Sequence, residues 1–192
     1  MSYSQIRYPT SDISVVSHTP WPAGSCWANL DDPAASPDDS STYVLGDNPG
    51  NANLGFSAFS LPSQAKNISV SLIWRAKGSW TSPAVAPKAN VSLVFPWTTK
   101  SAAQRTLTNS YATYTETWSS NPVTSVAWTL DDVNRLGSGT GRIMSFSIQV
   151  GLITPLTSKV YWTQVYIQVT FDDESFCFGG PGFSPSKSTW GC

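Results

Sequence analysis

Residues 67–76 read NISVSLIWRA, and their alternation constrains the fold more than any other feature of the chain. Ile68, Val70, Leu72 and Trp74 fall on one side of an extended backbone, Ser69, Ser71 and Arg75 on the other. Successive side chains of a strand point to opposite faces, so this stretch makes a strand with one buried face. The same period runs through NVSLVF (90–95), YATYTETW (111–118), RIMSFSIQVGL (142–152) and KVYWTQVYIQVTF (159–171). In the last, Val165, Ile167, Val169 and Phe171 are expected inside, and Gln164, Gln168 and Thr170 outside. STYVLG (41–46) and NLGFSAF (53–59) are shorter, less regular strands. Turns of Pro, Gly, Ser and Asn between such strands predict an all-β fold, an antiparallel β-sandwich of about eight strands.

Composition agrees where it bears on helix content. Glu occurs only at Glu116 and Glu174 and just 12% of residues are charged, whereas aromatic residues reach 12% with nine Trp. Strand formers are abundant and helix formers scarce. One segment breaks the pattern. In TLDDVNRLGSG (129–139), Thr129 is placed to cap a helix with Asp132 three residues on, Asp131 and Asp132 complement the helix dipole, and Gly137 ends the turn. A single short helix is expected near 130–136, which gives Asp131 and Asp132 a structural role.

At 192 residues the chain suits one domain. The expected division is an N-terminal arm (1–30), a β-sandwich domain (31–174) and a C-terminal arm (175–192). The last segment, SFCFGGPGFSPSKSTWGC, has no strand or helix period. Its Phe176, Phe178, Phe183 and Trp190 are the expected interface residues, because burying each is worth about 1.5–3 kcal/mol. The start, MSYSQIRYPTSDISVV, has neither the basic residues nor the apolar core of a secretory signal, and no apolar run approaches the roughly 18 residues of a membrane span. Lys and Arg are spread singly, with no stripe that would neutralise a phosphate backbone. Nucleic acid and membrane are therefore not expected partners. Cys26, Cys177 and Cys192 are widely spaced without a CxxC pair, so either one C-terminal bridge or three reduced thiols is compatible with them.

No catalytic, cofactor or metal residues are expected. His18 is the only histidine, it lies in an irregular segment, and there is no GxSxG, HExxH or glycine-rich phosphate loop. Glu116 with Asp131, or Asp172 with Glu174, would have to serve as a carboxylate pair, and each reads more simply as a cap or a turn. The densest acidic stretch is DDPAASPDDSS (31–41), with Asp31, Asp32, Asp38 and Asp39, and Asp47 following. Such oxygen ligands suit calcium, but the spacing is not that of an EF-hand. The alternative is turn chemistry, in which Asp and Ser beside Pro bond local backbone amides.

Tryptophan offers another kind of site, because its flat face stacks on sugars and partner surfaces. Trp74 falls on the apolar face of its strand, and Trp118, Trp128 and Trp162 lie in or beside strands, as core or sheet-covering residues. Trp21, Trp27, Trp80, Trp97 and Trp190 lie in loops or the tail and are the better candidates for external contacts. Glycan docking would call for an exposed, coplanar aromatic pair lining a groove.

The runs DDSSTYVLGDNPGNANLGFSAFSLPSQAKNISVSLIWRAKG, TLTNSYATYTETWSSNPVTSVAWTLDDVNRLGSG and VYWTQVYIQVTFD, across residues 38–172, resemble jelly-roll β-sandwich domains of tailed-bacteriophage virion proteins. The first half is also similar to carbohydrate-binding-module sandwiches. Leu61, Pro62, Ala65 and Ile68 set the start of the central strand, and Trp128, Leu130 and Val133 anchor the short helix. The resemblance implies a non-enzymatic virion structural protein, a capsid decoration or cement subunit assembled in the host cytoplasm. Its implied partners are the major capsid protein or other virion subunits and further copies of itself, with a trimer favoured. The alternative is a carbohydrate-binding module, or a phage adhesin or tail accessory protein, that binds host surface glycans.

Overall fold

The computed structural model describes residues 1–39, 41–80, 86–95, 98–134, 136, 146–150 and 158–173. Its strands are β1 (Ser2–Arg7), β2 (Pro9–Trp21), β3 (Tyr43–Phe56), β4 (Ala65–Ser79), β5 (Lys88–Ala89), β6 (Ser92–Phe95), β7 (Thr98–Ser101), β8 (Arg105–Thr106), β9 (Ala112–Trp118), β10 (Phe146–Val150) and β11 (Lys159–Asp173). The helix α1 spans Leu130–Asn134. The chain is an all-β sandwich, as the two-residue period requires. No helix among the described residues is long and apolar enough to cross a membrane.

The alternating stretch at 67–76 lies inside β4, whose partner β11 runs antiparallel along nearly all of it, from Lys159 opposite Ser79 to Asp173 opposite Ala65. β9 adds to the other edge of β4, and β1 adds to β11. These four strands form one layer. The second layer is β2–β3–β10–β6–β7. The layers join at one corner, where Val44–Gly46 of β3 pairs with Val160–Trp162 of β11. β5 and β8 make a separate two-stranded sheet.

Between the layers lies one apolar core. Val70, Leu72, Trp74, Val165, Ile167 and Val169 from the first layer meet Val44, Leu54, Phe56, Leu93 and Phe95 from the second, all buried. Trp74 touches Trp162 at 4.9 Å between ring centroids. The start of the central strand is as expected: Leu61, Ala65 and Ile68 are buried, and the Ala65 amide donates to the Pro62 carbonyl at 3.0 Å. The helix is capped as its sequence dictates. The Asp132 amide donates to Thr129 Oγ1 at 3.1 Å and the Thr129 amide donates to Asp132 Oδ2 at 3.0 Å. Val133 and Trp128 anchor it in the core, and the Trp128 indole donates to the Trp118 carbonyl at 2.8 Å.

Three local expectations are corrected. Residues 1–30, read as an arm, instead supply β1 and β2, which extend one edge of each layer. The two short strands at 41–46 and 53–59 are one strand, β3, and the DNPG between them is not a turn. It lies where β3 exchanges its partner β11, opposite Gly46, for β10, opposite Gly50. Third, Gln164 is 2% exposed rather than outward-facing. A register shift between Trp162 and Gln164 breaks the alternation there.

Leu72→Ala or Ile167→Ala should each cost about 2–4 kcal/mol, because each leaves a cavity between packed layers. Ser71→Ala, which removes only an exposed hydroxyl contact to Thr117, should stay within about 0.5 kcal/mol. Urea melts of the three variants check the order, and the reverse order would mean that the strand faces are exchanged.

Candidate functional site

Gln164 explains the acidic stretch. Its side-chain amide donates to the carbonyls of Asp32 and Pro33 at 3.0 and 2.8 Å, Asp31 bridges to its backbone, and the Val165 amide donates to the Leu30 carbonyl at 3.0 Å. The 30–33 segment thus lies along the edge of β11, between the part paired with β3 and the part paired with β1. From that anchor, the stretch turns on its own carboxylates. Asp32 Oδ2 accepts from the Asp38 amide at 2.9 Å, and Asp38 Oδ1 accepts from the amide and hydroxyl of Thr42 at 3.2 and 2.9 Å. Burial, together with the nearby Asp38 and Asp31 charges, raises the Asp32 pKa against the lowering effect of the amide bond.

Asp39 departs from turn chemistry. It has a positive φ of 31°, a region that Asp tolerates better than most residues. Its carboxylate accepts a fork from Arg75, with Nε to Oδ1 at 2.6 Å and a second bond from the guanidinium to Oδ2, and a bond from the Thr163 hydroxyl at 3.2 Å. The Arg75 bonds hold the Asp39 carboxyl below the usual carboxylate range. This pair fastens the acidic loop to the outer face of the β4–β11 layer.

Beside the pair runs a row of aromatic side chains. Val44 and Trp162 are buried in the core, so their neighbours Tyr43 and Tyr161 face outward. Trp21 stands opposite Tyr43 across β2 and β3, and Lys77 opposite Tyr161 across β4 and β11. The Tyr43 and Tyr161 rings meet edge-to-face at 5.3 Å and 65°. Lys77 Nζ lies 4.4 Å from the centroid of Tyr111 and 5.2 Å from that of Tyr161, and Arg75 Cζ lies 5.7 Å from Tyr111. The row crosses from β2 to the start of β9, roughly 20 Å at about 4.8 Å per strand. Its β2 end is open to solvent, with Trp21 58% exposed. Burial and the Asp39 charge raise the Tyr111 pKa, so its phenol keeps its proton through the neutral range.

Sequence reasoning selected only part of this site. Trp21 is an external contact candidate that the structure leaves exposed. Trp27 instead packs against the core, Trp80 is half-buried, and Trp97 lies outside the described residues. Tyr43, Tyr111, Tyr161, Lys77 and the Asp39–Arg75 pair were missed. The signal available was the odd-position alternation of Tyr43 and Tyr161 about buried neighbours. Phe176, Phe178, Phe183 and Trp190, with Cys177 and Cys192, lie outside the described residues. Cys26 is a buried free thiol that burial, and then the Asp12 charge, pushes up to about 12. Of the carboxylates considered for catalysis, Glu116 meets Arg105 at 3.4 Å, Asp131 lies in the first turn of α1, Asp172 accepts from Asn67 at 2.8 Å, and Glu174 lies outside the described residues. His18 packs closely enough on Gly46 that a Cβ there would stand 3.2 Å from Nε2. Among the described residues no three His, Cys, Asp or Glu side chains are grouped to hold a metal ion.

No family model matches the chain, and no curated protein matches it. Among solved structures it is similar to a family 29 carbohydrate binding module from Piromyces equi, at 10% identity and a TM-score of 0.37, over 87% of this chain and 90% of that one.

Asp39→Asn should lower stability by about 1–2 kcal/mol at neutral pH, since a charge-assisted fork is stronger than its neutral replacement. The folded-state pKa of Asp39 is depressed, so its contribution is fully present above the unfolded value of about 3.9 and is lost as pH falls through the folded value. Melts of wild type and variant should therefore converge as pH drops below about 4. A gap unchanged down to pH 2 would remove the ion pair from the explanation.

Proposed function

We propose that this chain is a non-catalytic β-sandwich module that binds carbohydrate through the row Trp21, Tyr43, Tyr161 and Tyr111. The observation that carries the reading is the exposed indole of Trp21 at the head of an outward-facing tyrosine row, flanked by Lys77 and the Asp39–Arg75 pair. Sugar rings present C–H faces and hydroxyl edges. Indole and phenol faces suit the first, and the phenols, ammonium and carboxylate suit the second. Tyr43 and Tyr161 are not a coplanar platform, so the flat face in this reading is that of Trp21, and the tilted tyrosines supply edges and hydroxyls.

A place on a bacteriophage particle, as capsid decoration, cement or tail accessory protein, is supported by the sequence resemblance across residues 38–172. Its contacts through Phe176, Phe178, Phe183 and Trp190 would be made by residues beyond those described. A virion adhesin that binds host glycans combines the two readings.

Affinity electrophoresis in gels containing soluble glucans, mannans, xylans or pectins tests carbohydrate binding directly. Retardation is expected in at least one, with Trp21→Ala and Tyr43→Ala each weakening it about tenfold, or about 1.4 kcal/mol. Ser71→Ala, distant from the row along β4, should bind as wild type. Migration unaffected by every polysaccharide would defeat the proposal.

A further inference from the structure

The charges along the tyrosine row do not balance. Lys77 is half-buried, and its ammonium lies over two rings, 4.4 Å from the centroid of Tyr111 and 5.2 Å from that of Tyr161. Ring faces attract an ammonium and fix its place, but they bring no negative charge to cancel its own. Among the described residues no carboxylate lies within ion-pair distance of Lys77. The carboxylate that feels its charge, Asp39, is already committed, since it accepts the Arg75 fork and the Thr163 hydroxyl. The Arg75 bonds lower the Asp39 pKa most, and the Lys77 charge adds least. Elsewhere in the acidic loop, Asp32 accepts from the Asp38 amide and Asp38 from Thr42, and of the described loop carboxylates only Asp39 acts on Arg75 and Tyr111. Arg75 and Lys77 thus face Asp39 alone, and this part of the row is one anion short.

We infer that the row selects acidic polysaccharides, chains whose sugars carry a carboxylate, and that Lys77 is the residue that makes the selection. The inference rests on the row being a carbohydrate surface, and it adds the charge of the ligand. A partly desolvated ammonium is stabilised by an oxyanion that arrives with the ligand. The whole chain has a net charge of -1, so attraction of a polyanion has to come from this place and not from the molecule at large. Because the ammonium lies over the rings, the anion must enter at their level. A carboxyl joined directly to a pyranose ring reaches there while the sugar stays in contact with Tyr161, whereas a sulfate ester is bulkier and holds its charge farther from the ring. Tyr111 keeps its proton through the neutral range, so it adds no repelling charge. Lys77 on β4 is separated from Trp21 on β2 by β11 and β3, about 14 Å at roughly 4.8 Å per strand. A ligand that touches both is a chain of sugars and not a single one.

Titration calorimetry of the full chain with paired ligands tests this. The probes are oligosaccharides of polygalacturonate, alginate and hyaluronan, each beside its carboxyl-reduced neutral counterpart of the same backbone, with dextran sulfate as a second kind of anion. At least one uronate chain is expected to bind about tenfold tighter than its counterpart at low salt, and the difference should shrink as salt is raised. Lys77→Gln should bring that pair to within about twofold of each other, while Lys77→Arg keeps most of the difference. Circular dichroism melts confirm that both variants are folded. Trp21→Ala should weaken the uronate and its neutral counterpart alike, because stacking on an indole does not depend on the carboxylate. A preference that Lys77→Gln leaves intact, or dextran sulfate bound as tightly as the best uronate, would overturn the inference. Equal binding of every uronate and its counterpart, still weakened by Trp21→Ala, would overturn it and leave the carbohydrate reading standing, whereas no binding of any charged or neutral chain would overturn both.

Discussion

The backbone edge of β11 is the constraint on which the rest of the molecule depends. One edge is taken by β4 along nearly its whole length. The other is divided among three segments far apart in sequence: β3 at Val160–Trp162, residues 30–31 at Gln164–Val165, and β1 at Ile167–Asp172. Buried amides and carbonyls must be paired, and each of these segments supplies partners the others cannot reach. The consequence is that the two layers, the acidic loop and the N-terminal strand are all positioned by a single strand. The bulge after Trp162 makes this division possible. It turns Thr163 and Gln164 toward the loop, and returns Val165 to the core.

The candidate binding row follows from the same corner. Pairing of Val44 with Trp162 buries both, and the alternation of strands then forces Tyr43 and Tyr161 to the outer face. The Asp39–Arg75 fork pins the acidic loop next to them, while Lys77 lies against two tyrosine rings. Part of the surface is thereby held before any ligand arrives, which lowers the ordering cost of binding. Trp21, at the end of β2, is the least enclosed member.

Much of the architecture was legible in the sequence because β4, β9 and β11 each have one face in the core, and their alternation records it. β1 and β2 were not legible. Most of the described side chains of β2 are exposed whichever way they point, and three register shifts scramble what period remains. The DNPG of β3 is a turn signal that the structure uses at a change of partners instead. The acidic stretch was readable as turn chemistry at Asp32 and Asp38, whose partners are local. Asp39 was not, since Arg75 lies 36 residues away and only the folded sheet brings the two together. Gln164 was assigned outward by a period that fails one residue after a bulge.

The central claim is that an outward row headed by Trp21 recognises carbohydrate while the core tryptophans take no part. Two-dimensional NMR of the indole N–H groups, recorded as mixed soluble oligosaccharides from plant and microbial polysaccharides are added, addresses it at the residue concerned. The Trp21 indole signal should move in a saturable way while those of Trp74, Trp128 and Trp162 stay in place. A saturable shift confined to other tryptophans, or no shift with any oligosaccharide, would contradict it.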